Sequence, residues 1–221
     1  EDKCVGCNKC IGKCPVEQAN SCHIKDGKNV VHINSDRCIV CGNCIEVCDH
    51  DARGYRDDTE IFFADLNKGQ KISVIVAPSI GYNLENYKNL FGFLKSKGVD
   101  LIYDVSFGAE MTIWAYLKVI KQQNLESMIA QPCPAIVLFI EKYCPELIEY
   151  LAPIHSPALC TAVYLKKYKQ VGDKIAFLSP CMGKAEEFSD TSGYVNYNVT
   201  YKKLDQYIRE NHIKLANFPV Q

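Results

Sequence analysis

The rhythm of apolar and polar positions changes near residue 67 and divides the chain in two. Beyond that point, residues 71–76 (KISVIV) form a continuous apolar run bounded by Ala77-Pro78, the pattern of a strand buried on both faces. A helical pattern follows over 84–97, then a strand at 101–105 and a helix at 109–122. Residues 127–131 read as a third strand leading to a helix that opens at Pro134. Another helix covers 157–168, a fourth strand 174–178, and an amphipathic helix 199–211. Strands alternating with helices of this length predict an α/β domain over 67–221, a parallel sheet flanked by helices.

Residues 1–66 have a different texture. They run as loop, short helix, strand, turn, strand, and then the same again, an internal repeat of about 34 residues. Residues 29–33 (NVVHI) read as a strand after a turn at 25–28, and 61–64 as a further strand. A separate, small α+β domain is expected here. A unit of this size has little room for an apolar core, so bound metal is expected to contribute much of its folding free energy.

The cysteines point to that metal. Eight of the thirteen fall in two runs of identical spacing, Cys4, Cys7, Cys10, Cys14 and Cys38, Cys41, Cys44, Cys48. Each reads C-x2-C-x2-C-x3-C, and Pro15 follows the first, the bacterial ferredoxin pattern for [4Fe–4S] clusters. Three thiolates two residues apart can wrap one cubane while backbone N–H groups face its sulfides. In two-cluster proteins the fourth cysteine usually ligates the other cube. One cluster is therefore assigned to Cys4, Cys7, Cys10 and Cys48, the other to Cys38, Cys41, Cys44 and Cys14. A zinc site would instead pair one C-x2-C with a couple a dozen or more residues away, and a disulfide framework suits a short secreted chain. Gly6 and Gly42, one in each loop, are expected to permit tight turns. Asp49 stands where a proline would follow the second run, and its charge is expected to lower a cluster's potential.

Composition narrows the class further. The formal net charge of −1 argues against a general nucleic-acid binder, with −3 carried by residues 1–60 and +2 by the rest. No stretch reaches the length of apolar residues needed to span a bilayer. With no secretory segment visible, metal-ligating cysteines at this density predict a reducing, oxygen-poor cytoplasm.

Two further cysteines end predicted strands, Cys133 in QPCP and Cys181 in SPCMGK. Ligands of open parallel sheets bind beyond the carboxyl ends of the strands. Pro134 suits the first position of a helix, which places Cys133 where a helix dipole favours a thiolate. Two such thiolates can face one cluster; equally, free cysteines are commonly buried apolar residues.

From Lys71 onward the chain resembles the catalytic domain of [FeFe] hydrogenases. The stretch 132–147 (PCPAIVLFIEKYCPEL) is similar to that family's T-S-C-C-P motif and the F-I-E-K-Y-x-P-E-L helix after it. The stretch 180–187 (PCMGKAEE) is similar to its P-C-x-x-K-x-x-E motif, and 106–112 (SFGAEMT) to the segment before a helix near the active site. A ferredoxin-like module in front is the family's usual arrangement. The resemblance implies that Cys133 and Cys181 are two of four ligands to the [4Fe–4S] part of the H-cluster, whose other half is a di-iron unit. It also implies that Lys184 holds a cyanide ligand and that Glu187, three residues on, fixes that lysine; an exposed ion pair is the plainer reading of Lys184 and Glu187.

The departures from the family matter as much. Efficient members carry a second, proton-passing cysteine where this chain has Pro132, which lacks even an N–H. The stretch 114–120 (WAYLKVI) contains no acid where the family has two glutamates, and Ala152 replaces a serine. Such substitutions resemble the sensory branch, in which slow hydrogen chemistry reports to an attached signalling module. Nothing after Cys181 supplies the family's third motif, so the chain reads as a piece of a longer protein and only the intact protein is expected to hold the H-cluster. A ferredoxin is the expected electron donor or acceptor, with neither nucleic acid nor membrane as partner. The rival expectation is a non-catalytic electron-transfer or cluster-assembly protein on the same scaffold. Cys22 is expected to be a buried thiol, Cys144 and Cys160 core residues, and His155 an ordinary loop residue.

Overall fold

The computed structural model describes residues 2–189, 191 and 193–221. In chain order its elements are α1 (Lys9–Lys13), β1 (Asn20–Lys25), β2 (Lys28–Ile33), α2 (Asn43–Glu46), α3 (Thr59–Asn67), β3 (Ile72–Val76), α4 (Ile80–Asn83), α5 (Tyr87–Ser96), β4 (Val99–Asp104) and α6 (Ser106–Gln123). They continue with α7 (Pro134–Tyr143), a 3-10 turn (Pro145–Tyr150), α8 (Pro157–Lys167), β5 (Lys174–Ser179), α9 (Lys184–Ser189), β6 (Tyr197–Thr200), α10 (Tyr201–Glu210) and a last 3-10 turn (Leu215–Asn217). Two compact units emerge, Glu1–Arg56 with Pro134–Ile148, and Asp57–Cys133 with Glu149–Gln221.

The first unit is built on the antiparallel hairpin β1–β2, whose register runs from Asn20↔Ile33 to Lys25↔Lys28. Its two-residue turn is Asp26-Gly27, both at positive φ (52° and 76°). That is the Asp-Gly pairing whose twist matches the flanking strands. Strand β1 is exposed at every residue after Asn20, so Cys22 is exposed rather than buried as expected. The apolar centre is small: Val16, Ala19 and Ile39 are buried, with Cys14, Ala135, Leu138, Phe139 and Tyr143 packed against them. Four of those side chains come from α7, which thus completes the core of the cysteine-rich segment. Tyr143 fixes the contact by donating to the Arg37 carbonyl at 2.7 Å, and Lys142 to the Cys38 carbonyl at 2.9 Å.

The second unit carries a four-stranded sheet in the order β4-β3-β5-β6, parallel throughout. Strand β3 is buried along its whole length, as its mostly apolar sequence requires, and its one polar residue, Ser73, donates to Asp173 Oδ2 at 2.7 Å. Its alternate residues Ile72, Val74 and Val76 face a cluster with Phe62, Phe63 and Leu66 of α3, Phe93 of α5 and Leu204 of α10. Ile75, Ile175 and Phe177 face the other side, against Ala158, Leu159, Ala162 and Leu165 of α8.

Three predicted elements differ. Residues 61–64 belong to α3, because Thr59, Phe62, Phe63 and Leu66 are buried at i, i+3, i+4 and i+7, a helical stripe that outweighs the local run of β-formers. Residues 127–131 form only a bridge, Ile129↔Leu151. The remaining parallel strand is β6, whose residues 199–200 the local pattern joined to the following helix. Thr200 separates the two, its side chain accepting from Lys203 N–H as the N-cap of α10.

Candidate functional site

Both cysteine runs fold into the same backbone shape. The second residue after the leading cysteine has positive φ in each, Gly6 at 70° and Val40 at 56°; so does the residue after the second cysteine, Asn8 at 60° and Gly42 at 85°. Alternation of this kind turns successive N–H groups to one side, forming a concavity for anionic atoms. The equivalent of Gly6 is thus Val40, and that of Gly42 is Asn8. Gly6 is required for a second reason, since a Cβ there would meet the Asn29 carbonyl oxygen at 2.6 Å.

The concavities already engage sulfur. Val40 N–H donates to Cys38 Sγ at 3.3 Å. At the matching place, the Gly6 N–H holds the Cys4 thiol below its ordinary pKa, helped by Val31 N–H. Burial pushes Cys44 up, against the pull of Arg53, while neighbouring Cys38, Cys41 and Cys10 add to the rise. Helices α1 and α2 pack on each other, so Cys10 and Cys44 come from adjoining elements. Arg53, which spacing rules did not single out, donates through Nη2 to Cys10 Sγ at 3.4 Å. Asp49 pairs with Lys9, so the negative charge expected to depress a potential is largely neutralised.

This donor set fits [4Fe–4S] clusters. All thirteen cysteines are free thiols, and the N–H groups that would face sulfide are in place. Among the described residues, no three metal-binding side chains form the shell of a single ion. A cubane needs none, because each thiolate meets a different iron.

In the second unit, β3 has β4 on one side and β5 on the other, although β4 precedes β5 in the chain. Such a reversal of strand order opens a crevice beyond the strand ends. Cys181 lies two residues past β5. Its N–H donates to Ser179 Oγ at 3.2 Å, and buried Asn198 of β6 donates to the carbonyls of Cys181 at 3.1 Å and Met182 at 3.3 Å. Asn198 is itself held by Asp58, whose Oδ2 accepts the Asn198 N–H at 2.8 Å. Lys184 is buried: its Nζ donates to the Pro132 carbonyl at 3.0 Å and pairs with Glu187 Oε2. The lysine therefore ties the loop bearing Cys133 to the loop bearing Cys181. The Lys184–Glu187 pair is not the exposed ion pair of the plainer reading, since its side chains are only 10% and 15% accessible.

The positions to which the resemblance assigned a proton path are among the described residues as well. Ala152 is buried, and Trp114 and Leu117 are exposed. His155 is exposed, and its carbonyl accepts from Thr112 Oγ1 and Cys160 Sγ, both at 3.4 Å. Asn198, Asp58 and Arg53 went unrecognised in the sequence; an asparagine amid strand residues and one arginine just past a cysteine run are the only local signals. Among the described residues, no helix is long and apolar enough to cross a membrane.

Comparison with known proteins finds two family models in the chain. Residues 70–221 match the family model of the iron only hydrogenase large subunit, C-terminal domain, and residues 1–49 that of a 4Fe-4S dicluster domain. The chain is 26% identical over 193 residues to iron hydrogenase 1 of Clostridium pasteurianum, covering 75% of this chain and 33% of that protein. It is 26% identical over 183 residues to the cytosolic Fe-S cluster assembly factor NAR1 of Encephalitozoon cuniculi, 74% of this chain and 48% of the factor. A ferredoxin of Streptomyces griseus is 39% identical over 59 residues, 27% of this chain and 51% of its own length. The chain thus spans a third to a half of these relatives. It is an iron–sulfur protein that belongs to the iron-only hydrogenase large subunit family, in the part that the family's C-terminal domain model describes.

Proposed function

We propose that the chain is the electron-entry module and first half of the catalytic domain of an [FeFe]-hydrogenase-type oxidoreductase, of low activity and sensory use. The observation that carries this reading is the pair of matched thiolate loops. In each, N–H groups are directed at the sulfur of the leading cysteine, as a reducible thiolate-bound cluster requires. Cys4, Cys7, Cys10 and Cys48 hold one [4Fe–4S] cluster, and Cys38, Cys41, Cys44 and Cys14 the other. Bound clusters supply one-electron transfer at low potential. The protein's part is to exclude water, fix the thiolates and donate N–H groups to sulfur.

In the intact protein, Cys133 and Cys181 are assigned to the H-cluster. Lys184 and Glu187 set the two cysteine loops at a fixed separation, and Lys184 keeps a donor for an anionic ligand, since an ammonium has three N–H groups. Pro132 contributes no ionisable group and uses its carbonyl to receive Lys184. Proton delivery by the family route is therefore closed at this residue, which supports slow turnover and a reporting role in a reducing cytoplasm, with a ferredoxin as electron partner. The likeness to a cluster assembly factor supports a second reading, a non-catalytic module on the same scaffold.

Anaerobic reconstitution tests the first part: about eight irons per chain are expected from two four-iron clusters. About twelve would mean that Cys133 and Cys181 recruit a third cluster, and none would remove the proposal. Infrared spectra of the matured full-length protein separate the two readings. Bands from iron-bound carbon monoxide and cyanide are required by the hydrogenase reading and excluded by the other.

A further inference from the structure

The first unit holds one contact that ligation does not explain. The guanidinium of Arg53 donates to Cys10 Sγ at 3.4 Å, and Cys10 is buried. The same charge lies within electrostatic reach of Cys4 in the first run and Cys44 in the second. Lys9, also beside a ligand loop, is committed to Asp49 and brings little net charge. Arginine stays charged under all conditions a protein survives, and its planar fork holds its direction.

Resting on the two-cluster reading, we propose that Arg53 tunes the module's electron affinity. It donates to the sulfur of Cys10 and raises the reduction potential of the cluster that Cys10 ligates. The physical basis is simple. Reduction adds a negative charge to a cluster already carrying thiolates, and a fixed cation with an N–H···S bond stabilises the reduced form more than the oxidised one. The effect is strongest on the Cys10 cluster and weaker on that of Cys44, which the guanidinium reaches only through space. Arg53 is a positioning and tuning residue: it binds no iron.

Reconstituted wild-type, Arg53→Gln and Arg53→Lys chains would be titrated with dithionite under argon, with each midpoint read from the electron paramagnetic resonance of the reduced clusters. Arg53→Gln is expected to move one midpoint clearly negative and the other less, at unchanged iron and sulfide content. Arg53→Lys, which keeps the charge but not the fork, is expected to fall between. Unchanged midpoints in a fully loaded Arg53→Gln chain overturn the proposal. Should that variant fail to hold iron, wild-type chain labelled with 15N-arginine decides. A hyperfine-coupled arginine nitrogen in the reduced state, lost in Arg53→Lys, supports the proposal, and its absence overturns it. A wild-type chain that takes up neither iron nor sulfide removes the cluster reading itself, an outcome distinct from the other two.

Discussion

Gly6 and Val40 occupy equivalent places in the two cysteine loops, yet only one of them is a glycine. At Gly6 the backbone needs both positive φ and room, because the Asn29 carbonyl oxygen would lie 2.6 Å from any Cβ. At Val40 a β-branched residue holds φ at 56°, a conformation that costs L-residues roughly 1–2 kcal/mol. Gly6→Ala is therefore expected to destabilise the reconstituted protein by about 1–3 kcal/mol and to speed iron loss to a chelator. Val40→Gly is expected to keep its iron as well as the wild type does, because it relieves strain while sparing the N–H that faces Cys38. Chelator kinetics and urea titration of both variants check the pair. The repeat itself was legible in the cysteine spacing. The two glycines marked one left-handed turn in each loop; the other two, at Asn8 and Val40, were not legible, since neither is a glycine.

Helix α9 shows how one short element positions a site. It has six residues, and its first, Lys184, spans from Glu187 to the Pro132 carbonyl. Lys184→Met would leave the Glu187 carboxylate enclosed without its cation and release the loop before Cys133, with an expected cost of about 3 kcal/mol. Pairing it with Glu187→Leu should recover part of that loss, a coupling that a double-mutant cycle in urea would measure. A second link between elements joins α3, β5 and β6: Tyr197 donates to Asp65 Oδ2 at 2.7 Å, and Lys174 lies 3.4 Å from the same oxygen. The Tyr197 hydroxyl, and after it Lys174, holds the Asp65 carboxyl below its ordinary range. The stability so contributed is present above the unfolded carboxylate pKa of about 3.9 and is lost as pH falls through the lowered folded value. Asp65→Asn should lower stability across the neutral region, flatten the acid limb of the stability–pH curve, and converge with the wild type at the acid end, where Asp65 is already protonated; thermal melts from pH 2 to 7 test it.

For the molecule as a whole, the two units rest on different sources of stability. The sheet unit buries two apolar clusters, one on each face of β3 and β5, whereas the cysteine-rich unit has Val16, Ala19, Ile39 and the side of α7. Metal binding is folding free energy where the core is small. Removal of iron is expected to abolish hydrogen-exchange protection in β1, β2 and α7 while β3 and β5 remain protected; equal loss in both units would contradict this. The sequence alone determined the iron–sulfur chemistry, because ligand spacing is a local property, and the parallel sheet, because a strand buried on both faces is mostly apolar and alternates with helices. Tertiary structure decided what depends on partners distant in the chain. Residues 59–67 are helical because one stripe of them meets the sheet, and 197–200 pair with β5 although the pattern of 199–200 continued into a helix. Likewise Lys184 is buried against Pro132, 52 residues away, and Arg53 points at Cys10, 43 residues away. No local pattern encodes such contacts; they exist because folding brings charges, carbonyls and sulfur from separate elements to one place and screens them from water.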